Sequence, residues 1–371
     1  MYDDIRPYND AETALALKRA SRNRLMEQIS AFLFPGKDPD ILRNTLNTIQ
    51  GVDDFQTRVM FPAVGSILGK TTKGLSYEGT RYFSGNRTYT MLSSHRDIVL
   101  DSAFVQYIFK DHNLPLSEIA VGDNLIYNQF VEDLMRSNRM IKVIRGVSAR
   151  QLYETSQKLS SYIRMRLNDE VPASVWISHR NGRTKDGRDK TEQGLLKMLS
   201  MSGPSGFTEN MKELRIMPVA ISYEIEPCGI RKAYEVYVKQ MMGSYVKRPG
   251  EDLESIVAGI LQQKGRVHVA FCKPISEEDL IRCEAEGRNE CFRSLARIID
   301  ERIVAAWKIW PTNIAAAELV QGLPATDKQV TADFEKYLAD ELRTLPVSGN
   351  RRQIREILLS IYAAPVLRKQ S

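Results

Sequence analysis

Cysteine is scarce in this 371-residue chain: Cys228, Cys272, Cys283 and Cys291 are the only four, and no two form a Cys-x-x-Cys pair. That spacing argues against a zinc ribbon and against a disulfide scaffold, and no metal site is expected. Reduced thiols in a cytoplasmic setting are the expectation. Long apolar runs are missing as well. A bilayer span takes about 20 apolar residues in succession, and the nearest approaches, Leu25–Phe34 and Ile303–Trp310, are short and interrupted by polar side chains. The opening residues Met1-Tyr2-Asp3-Asp4 are acidic where a secretory leader would be basic, and no apolar segment follows them. Low-complexity tracts and internal repeats are absent too. With 43% hydrophobic and 26% charged residues, what remains is the composition of a folded globular chain long enough for a substantial core.

The charge is uneven. The chain carries a net +6, yet Leu134–Leu199 alone holds 14 Lys/Arg against 6 Asp/Glu, leaving the remainder slightly acidic. A local excess of this kind suits an anionic partner such as a phosphate, coenzyme A, nucleic acid or anionic lipid headgroups. No recognition helix or RNA-binding signature accompanies it, so no nucleic-acid partner is expected.

Hydrophobic periodicity divides the chain in three. Residues 1–85 read as mostly helical, with a helix over 10–34 opened by Asp10 and closed by Pro35-Gly36. Residues 86–275 alternate apolar runs with amphipathic stretches. Strands are predicted at Thr88–Leu92, Glu118–Val121, Met140–Ile144, Ala173–Ile177, Ile216–Tyr223 and Arg266–Phe271. Helical patterns fall near 97–111, 127–137, 148–168, 191–200 and 251–263. This order implies an α/β fold, a layered mixed sheet flanked by helices, with ligands at the C-terminal ends of its strands. Residues 276–371 form an all-helical extension: an apolar stripe from Phe292 to Trp310 stopped by Pro311, a capping box Thr326-x-x-Gln329, and a helix over 351–363 ending before Pro365.

Four polar clusters lie at or just after predicted strands. The first, Ser93-Ser94-His95-Arg96-Asp97 with Asp101 behind it, sets a histidine at a strand-to-helix junction. A hydroxyl is a weak nucleophile, so activating it near neutral pH calls for a base such as histidine, oriented by a carboxylate on its other ring nitrogen. Ser94-x-x-Asp97 reads as a helix cap, which favours Asp101 as that carboxylate and leaves Asp97 as the alternative. The second cluster, Gly122-Asp123-Asn124-Leu125, is followed by Arg145; the third holds Asn181, Gly182, Arg183 and Lys185; the fourth is the strand Pro218–Tyr223. Proline in a strand is tolerated best at an edge or a start. Gly65-x3-Gly69-Lys70-Thr71 imitates a phosphate-binding loop but is one residue short and is set aside.

In order and spacing these clusters resemble the four sequence blocks of the glycerol-3-phosphate and lysophosphatidic acid acyltransferase superfamily, over residues 88–225. The resemblance departs from the pattern twice: His95 and Asp101 are spaced His-x5-Asp where the family has His-x4-Asp, and Asn181 stands where it has glutamate. It implies an O-acyltransferase of phospholipid or glycerolipid synthesis. His95 is then the general base, oriented by Asp101 or Asp97, and Arg145, Arg183 and Lys185 hold the acceptor phosphate. Gly122, Asn124, Asn181 and Gly182 border the acceptor pocket. The acyl donor would be a thioester, acyl-CoA or acyl carrier protein, with no cofactor beyond this co-substrate. The acceptor would be glycerol 3-phosphate, lysophosphatidic acid or a related lyso-lipid. The protein would then work peripherally at the inner face of the membrane. Two alternatives stand beside this: a degenerate acyltransferase fold that binds lipid without turnover, and a basic nucleic-acid-binding module.

Overall fold

The computed structural model describes residues 1–345 and 349–370. Seven strands form one sheet: β1 Leu75–Glu78, β2 Thr90–Ser93, β3 Glu118–Gly122, β4 Met140–Val143, β5 Val175–Ser178, β6 Ile216–Tyr223 and β7 Val267–Phe271. Their spatial order is β1-β7-β6-β2-β5-β3-β4. From β6 through β4 every pairing is parallel; β6 meets β7 antiparallel, and β1 runs parallel to β7. The sheet is therefore mixed. Both β6 and β7 are buried along their whole length, and their sequences are apolar but for Ser222 and His268, as suits strands whose two faces are covered by helices.

On one face Ile163, Leu196, Leu199, Leu295, Ile299 and Ile303 close over the sheet. On the other, Val64, Ile67, Phe104, Val105, Ile108 and Phe109 do so. The N-terminal helices keep a separate cluster built on Leu17, Met26, Leu42, Leu46, Phe55 and Val59. The helices after residue 310 pack with Gly229–Met242 in a fourth.

Several local expectations change. The helix expected over 10–34 is two, Asp10–Ala20 and Met26–Leu33. Its cap is Asn9, which exchanges side-chain bonds with Glu12, while the carboxylate of Asp10 accepts from the Val52 N–H. Strand β1, which begins before residue 86, and the helices Phe207–Glu213 and Gly229–Met242 have no counterpart among the predicted elements. Pro218 is the third residue of a central strand, where the ladder to β7 has not yet begun. The near-P-loop lies inside the helix Phe61–Thr71.

The C-terminal stripe stops at Ala306, and Trp307 and Trp310 are buried in the link that follows, so these rings pack inside the protein. Pro311 opens the next helix, where its missing N–H costs nothing. Asp327, not Thr326, caps Lys328–Arg343, accepting from the N–H groups of Gln329 and Val330. The helix expected to end before Pro365 runs on, Arg351–Gln370. Pro365 leaves the Ile361 carbonyl without its helical N–H, and Gly187 packs against that oxygen so closely that a Cβ there would lie 2.5 Å from it.

Candidate active site

Strands β2 to β6 are mutually parallel, so their C-terminal ends share one edge of the sheet, and each delivers a sequence cluster there. His95 follows β2 by two residues, Gly122 ends β3, Arg145 follows β4, Asn181–Lys185 follow β5, and Tyr223 ends β6. The loops are stitched together by backbone bonds: the N–H of Thr184 donates to the His95 carbonyl at 2.8 Å, and that of His179 to the Ser93 carbonyl at 3.0 Å.

The imidazole is fixed by Asp101. His95 Nδ1 lies 3.1 Å from Asp101 Oδ2, which also accepts from the backbone N–H groups of Arg96 at 2.6 Å and Asp97 at 2.9 Å. The other oxygen, Oδ1, accepts from the Tyr223 hydroxyl at 2.8 Å. Burial, then the nearby Asp101 charge, pushes the Tyr223 phenol well above its ordinary range, so it remains a donor. The fifth residue between His95 and Asp101 is absorbed without loss of the contact, because Arg96–Val99 turn before the helix Leu100–Asp111 begins. Asp97 takes the capping role: its Oδ1 accepts from Val99 and Leu100 N–H at 2.9 and 2.8 Å. Burial, then Asp101, raises its pKa. Ser94 takes no part in that cap; its hydroxyl bonds to the Val219 carbonyl.

A cavity of about 390 Å³ opens at this edge. His95, Gly122, Asn124, Arg145, Gly182, Arg183 and Lys185 all line it. So do Met26, Ile29, Leu33, Leu42, Leu46, Phe55 and Val59, so it reaches into the N-terminal helical cluster. Asp101, Asp97 and Asn181 stand outside the lining. Gly122 packs close to both side chains: a Cβ would sit 2.4 Å from Asn124 Oδ1 and 3.0 Å from the Arg145 guanidinium carbon, so either side chain would have to shift to admit one.

The cations differ in how far they are spoken for. Arg145 Nη1 donates to Asn181 Oδ1 at 2.7 Å, and burial lowers its pKa. Arg183 is buried, and its Nη1 has no hydrogen-bond partner among the described residues. Lys185 is ion-paired with Glu235, and burial lowers its pKa. Elsewhere the basic excess of residues 134–199 is spread over pairs such as Arg139–Asp53, Lys158–Asp4, Arg164–Glu213 and Arg166–Glu118. Sequence reasoning missed Tyr223 as a partner of Asp101, Lys247 in the lining, and the apolar contribution of the N-terminal helices. Only the place of Tyr223 at a strand end signalled any of these.

Behind the site lies a buried charge network. Arg96 reaches Asp189 at 3.1 Å and Glu226 at 3.4 Å, and Lys232 bonds to Glu226 and to the Arg96 carbonyl, both at 2.6 Å. Asp189 also accepts from Thr184 at 2.5 Å; against the cost of burial, Arg96 and His179 hold its carboxyl down at about 2. His179 is fully buried beside it, and burial depresses its pKa to about 4. The folded protein therefore refuses a proton that the unfolded chain accepts near pH 6.5. Stability from this group is complete above pH 6.5 and is lost as pH falls toward 4, by up to about 3 kcal/mol. Urea midpoints taken from pH 7 to 4.5 should fall steeply for the native chain, and His179→Gln should flatten that slope. An unchanged slope would remove His179 from the account.

No protein-family model matches the chain. Two curated proteins do. Dihydroxyacetone phosphate acyltransferase of Homo sapiens is 24% identical over 240 residues, which is 62% of this chain and 32% of that protein. The protein of the same name from Bos taurus is 25% identical over 203 residues, 53% of this chain and 27% of that one. By sequence, this chain is similar to glycerolipid acyltransferases. It spans about a third of the length of the curated relatives it matches. Among solved structures, the 1-acyl-sn-glycerophosphate (LPA) acyltransferase of Thermotoga maritima aligns with a TM-score of 0.39 and 11% identity over 79% of this chain and 94% of that one. The glycerolipid acyltransferase likeness therefore rests on the sequence, while the seven-stranded sheet establishes the mixed α/β fold directly.

Proposed function

We propose that the protein is a glycerolipid O-acyltransferase that moves an acyl group from a thioester, acyl-CoA or acyl carrier protein, to the hydroxyl of a phosphorylated acceptor. Glycerol 3-phosphate, lysophosphatidic acid and, after the named relatives, dihydroxyacetone phosphate fit that description. One observation carries the reading. The His95 ring, held by Asp101, and the buried Arg183 line one cavity that continues among apolar side chains, and one guanidinium nitrogen of Arg183 has no hydrogen-bond partner among the described residues. A buried donor left unpaired is costly, and a bidentate guanidinium matches phosphate. Asn181 supports the same role for Arg145. A neutral carbonyl orients the guanidinium without neutralising it, whereas glutamate in that place would compete with the acceptor's phosphate.

The transfer follows from these positions. With Nδ1 held by Asp101, His95 Nε2 takes the acceptor's hydroxyl proton as the oxygen attacks the thioester carbonyl carbon. The tetrahedral intermediate expels the thiolate, the C–S bond breaks, and the imidazolium returns its proton to sulfur. The acyl chain occupies the apolar arm lined by Met26, Leu42, Leu46 and Val59. The thioester is the only co-substrate in this scheme.

A thiol-release assay with palmitoyl-CoA and each phosphorylated acceptor tests the proposal: acceptor-dependent release is expected. Lipid binding with no release from any donor would leave a non-catalytic lipid-binding protein instead. Tyr223→Phe probes the positioning of Asp101. Loss of one donor to this carboxylate should lower kcat about tenfold with little change in KM. A purely structural tyrosine would lower the thermal midpoint instead and leave kcat of the folded protein unchanged.

A further inference from the structure

Trp176 is only 4% exposed, yet its indole Nε1 has no hydrogen-bond partner among the described residues. It is the second residue of β5 and pairs in register with Ile119 of β3, which in turn pairs with Met140 of β4. All three residues line the cavity that holds His95. They form one row across the sheet, running outward from the strand pair β2–β5. At the inner end of that row the Trp176 ring meets the His95 ring edge-on, with centroids 6.0 Å apart and planes at 76°.

The row is apolar, and of its three side chains only the indole carries an N–H donor. Packing alone does not call for that donor. A buried indole N–H usually finds an acceptor, and leaving one unpaired costs free energy. The chain supplies none to Trp176, whereas a substrate in the same cavity brings one. In an acyl thioester the carbonyl carbon is the first atom of the acyl chain. With the chain laid along Trp176, Ile119 and Met140, that carbon falls at the His95 end of the row.

We propose that the Trp176 N–H donates a hydrogen bond to the carbonyl oxygen of the thioester and stabilises the oxyanion formed there. This assignment rests on the acyltransferase reading. As the acceptor oxygen bonds to the carbonyl carbon and His95 Nε2 takes its proton, the C=O π pair moves onto the carbonyl oxygen. The indole bond strengthens with that charge, so it favours the transition state over the bound thioester. When the C–S bond breaks, the pair returns to the new ester carbonyl and the thiolate leaves. Trp176 neither gains nor loses a proton.

The test removes the N–H and keeps the rings. Replacement of Trp176 by benzothienylalanine puts sulfur in place of the N–H, and Trp176→Phe provides a second variant. With palmitoyl-CoA and glycerol 3-phosphate, the isostere should lower kcat about a hundredfold and leave KM for both substrates within about twofold, with an unchanged thermal midpoint. Native kcat in the isostere would overturn the proposal. So would a lowered midpoint with kcat of the folded protein unchanged, which would return Trp176 to packing alone. A second readout needs no turnover. In the native chain carrying isotope-labelled tryptophan, the indole N–H resonance missing from Trp176→Phe should move downfield on adding the ketone analogue of palmitoyl-CoA, in which methylene replaces the thioester sulfur. It should stay in place with S-hexadecyl-CoA, which lacks the carbonyl. No shift, or the same shift with both, would overturn the proposal, whereas a native chain without turnover from any donor would count against the enzymatic reading.

Discussion

His95→Ala is expected to lower thiol release by about a thousandfold while leaving lipid binding nearly intact. In the proposed mechanism the ring takes the hydroxyl proton, and alanine removes that acceptor without disturbing the loop, which is fastened through its backbone and through Arg96. The two carboxylates separate the cause further. Asp101→Asn keeps the shape but alters the group facing Nδ1, so its loss should approach that of the histidine variant. Asp97→Asn keeps the cap, whose acceptor can be an amide oxygen, and should stay within about threefold of native. Equal losses at Asp97 and Asp101 would reject Asp101 as the sole orienting group. Full turnover by His95→Ala would end the general-base mechanism.

The second large effect is at Arg183. Its Nη1 is buried without a hydrogen-bond partner among the described residues, a donor that a phosphate would satisfy. Arg183→Met should raise KM for a phosphorylated acceptor by about ten- to a hundredfold. KM for the acyl donor and the thermal midpoint should change little, or the latter should even rise. The same substitution at Arg145 should act more weakly, because Asn181 already takes one of its donors. A KM effect on the donor alone would mean that Arg183 contacts the thioester's carrier rather than the acceptor.

Much of this site was legible because its residues report on strand ends. In a parallel sheet, each apolar run followed at once by polar residues marks the same edge, so His95, Gly122, Arg145 and Arg183 were placed together before any contact was known. The choice of Asp101 over Asp97 was readable from capping logic, although the cap is made by Asp97 on its own helix and not with Ser94. What escaped was set by long-range contact. The Tyr223 hydroxyl meets a carboxylate 122 positions away, and nothing local distinguishes it from a packing tyrosine. The apolar arm comes from helices whose own sequences are short and split at residues 21–25, so their periodicity is weak. Strand β1 has four residues at the sheet edge and alternates half-buried with exposed positions, which gives too short a pattern to register. Pro365 misled for a different reason: a proline near a helix end removes only one N–H and need not stop the helix, and here the Ile361 carbonyl faces Gly187 at a close approach that no larger residue would allow.

That contact ties the geometry of the site to the order of synthesis. The loop carrying Arg183, Lys185 and Gly187 leaves the ribosome well before the helix Arg351–Gln370 against which it seats. Arg368 of that helix also donates to the Asp189 carbonyl at 2.5 Å. A nascent chain with its sheet already assembled would thus still lack the helix that braces this loop.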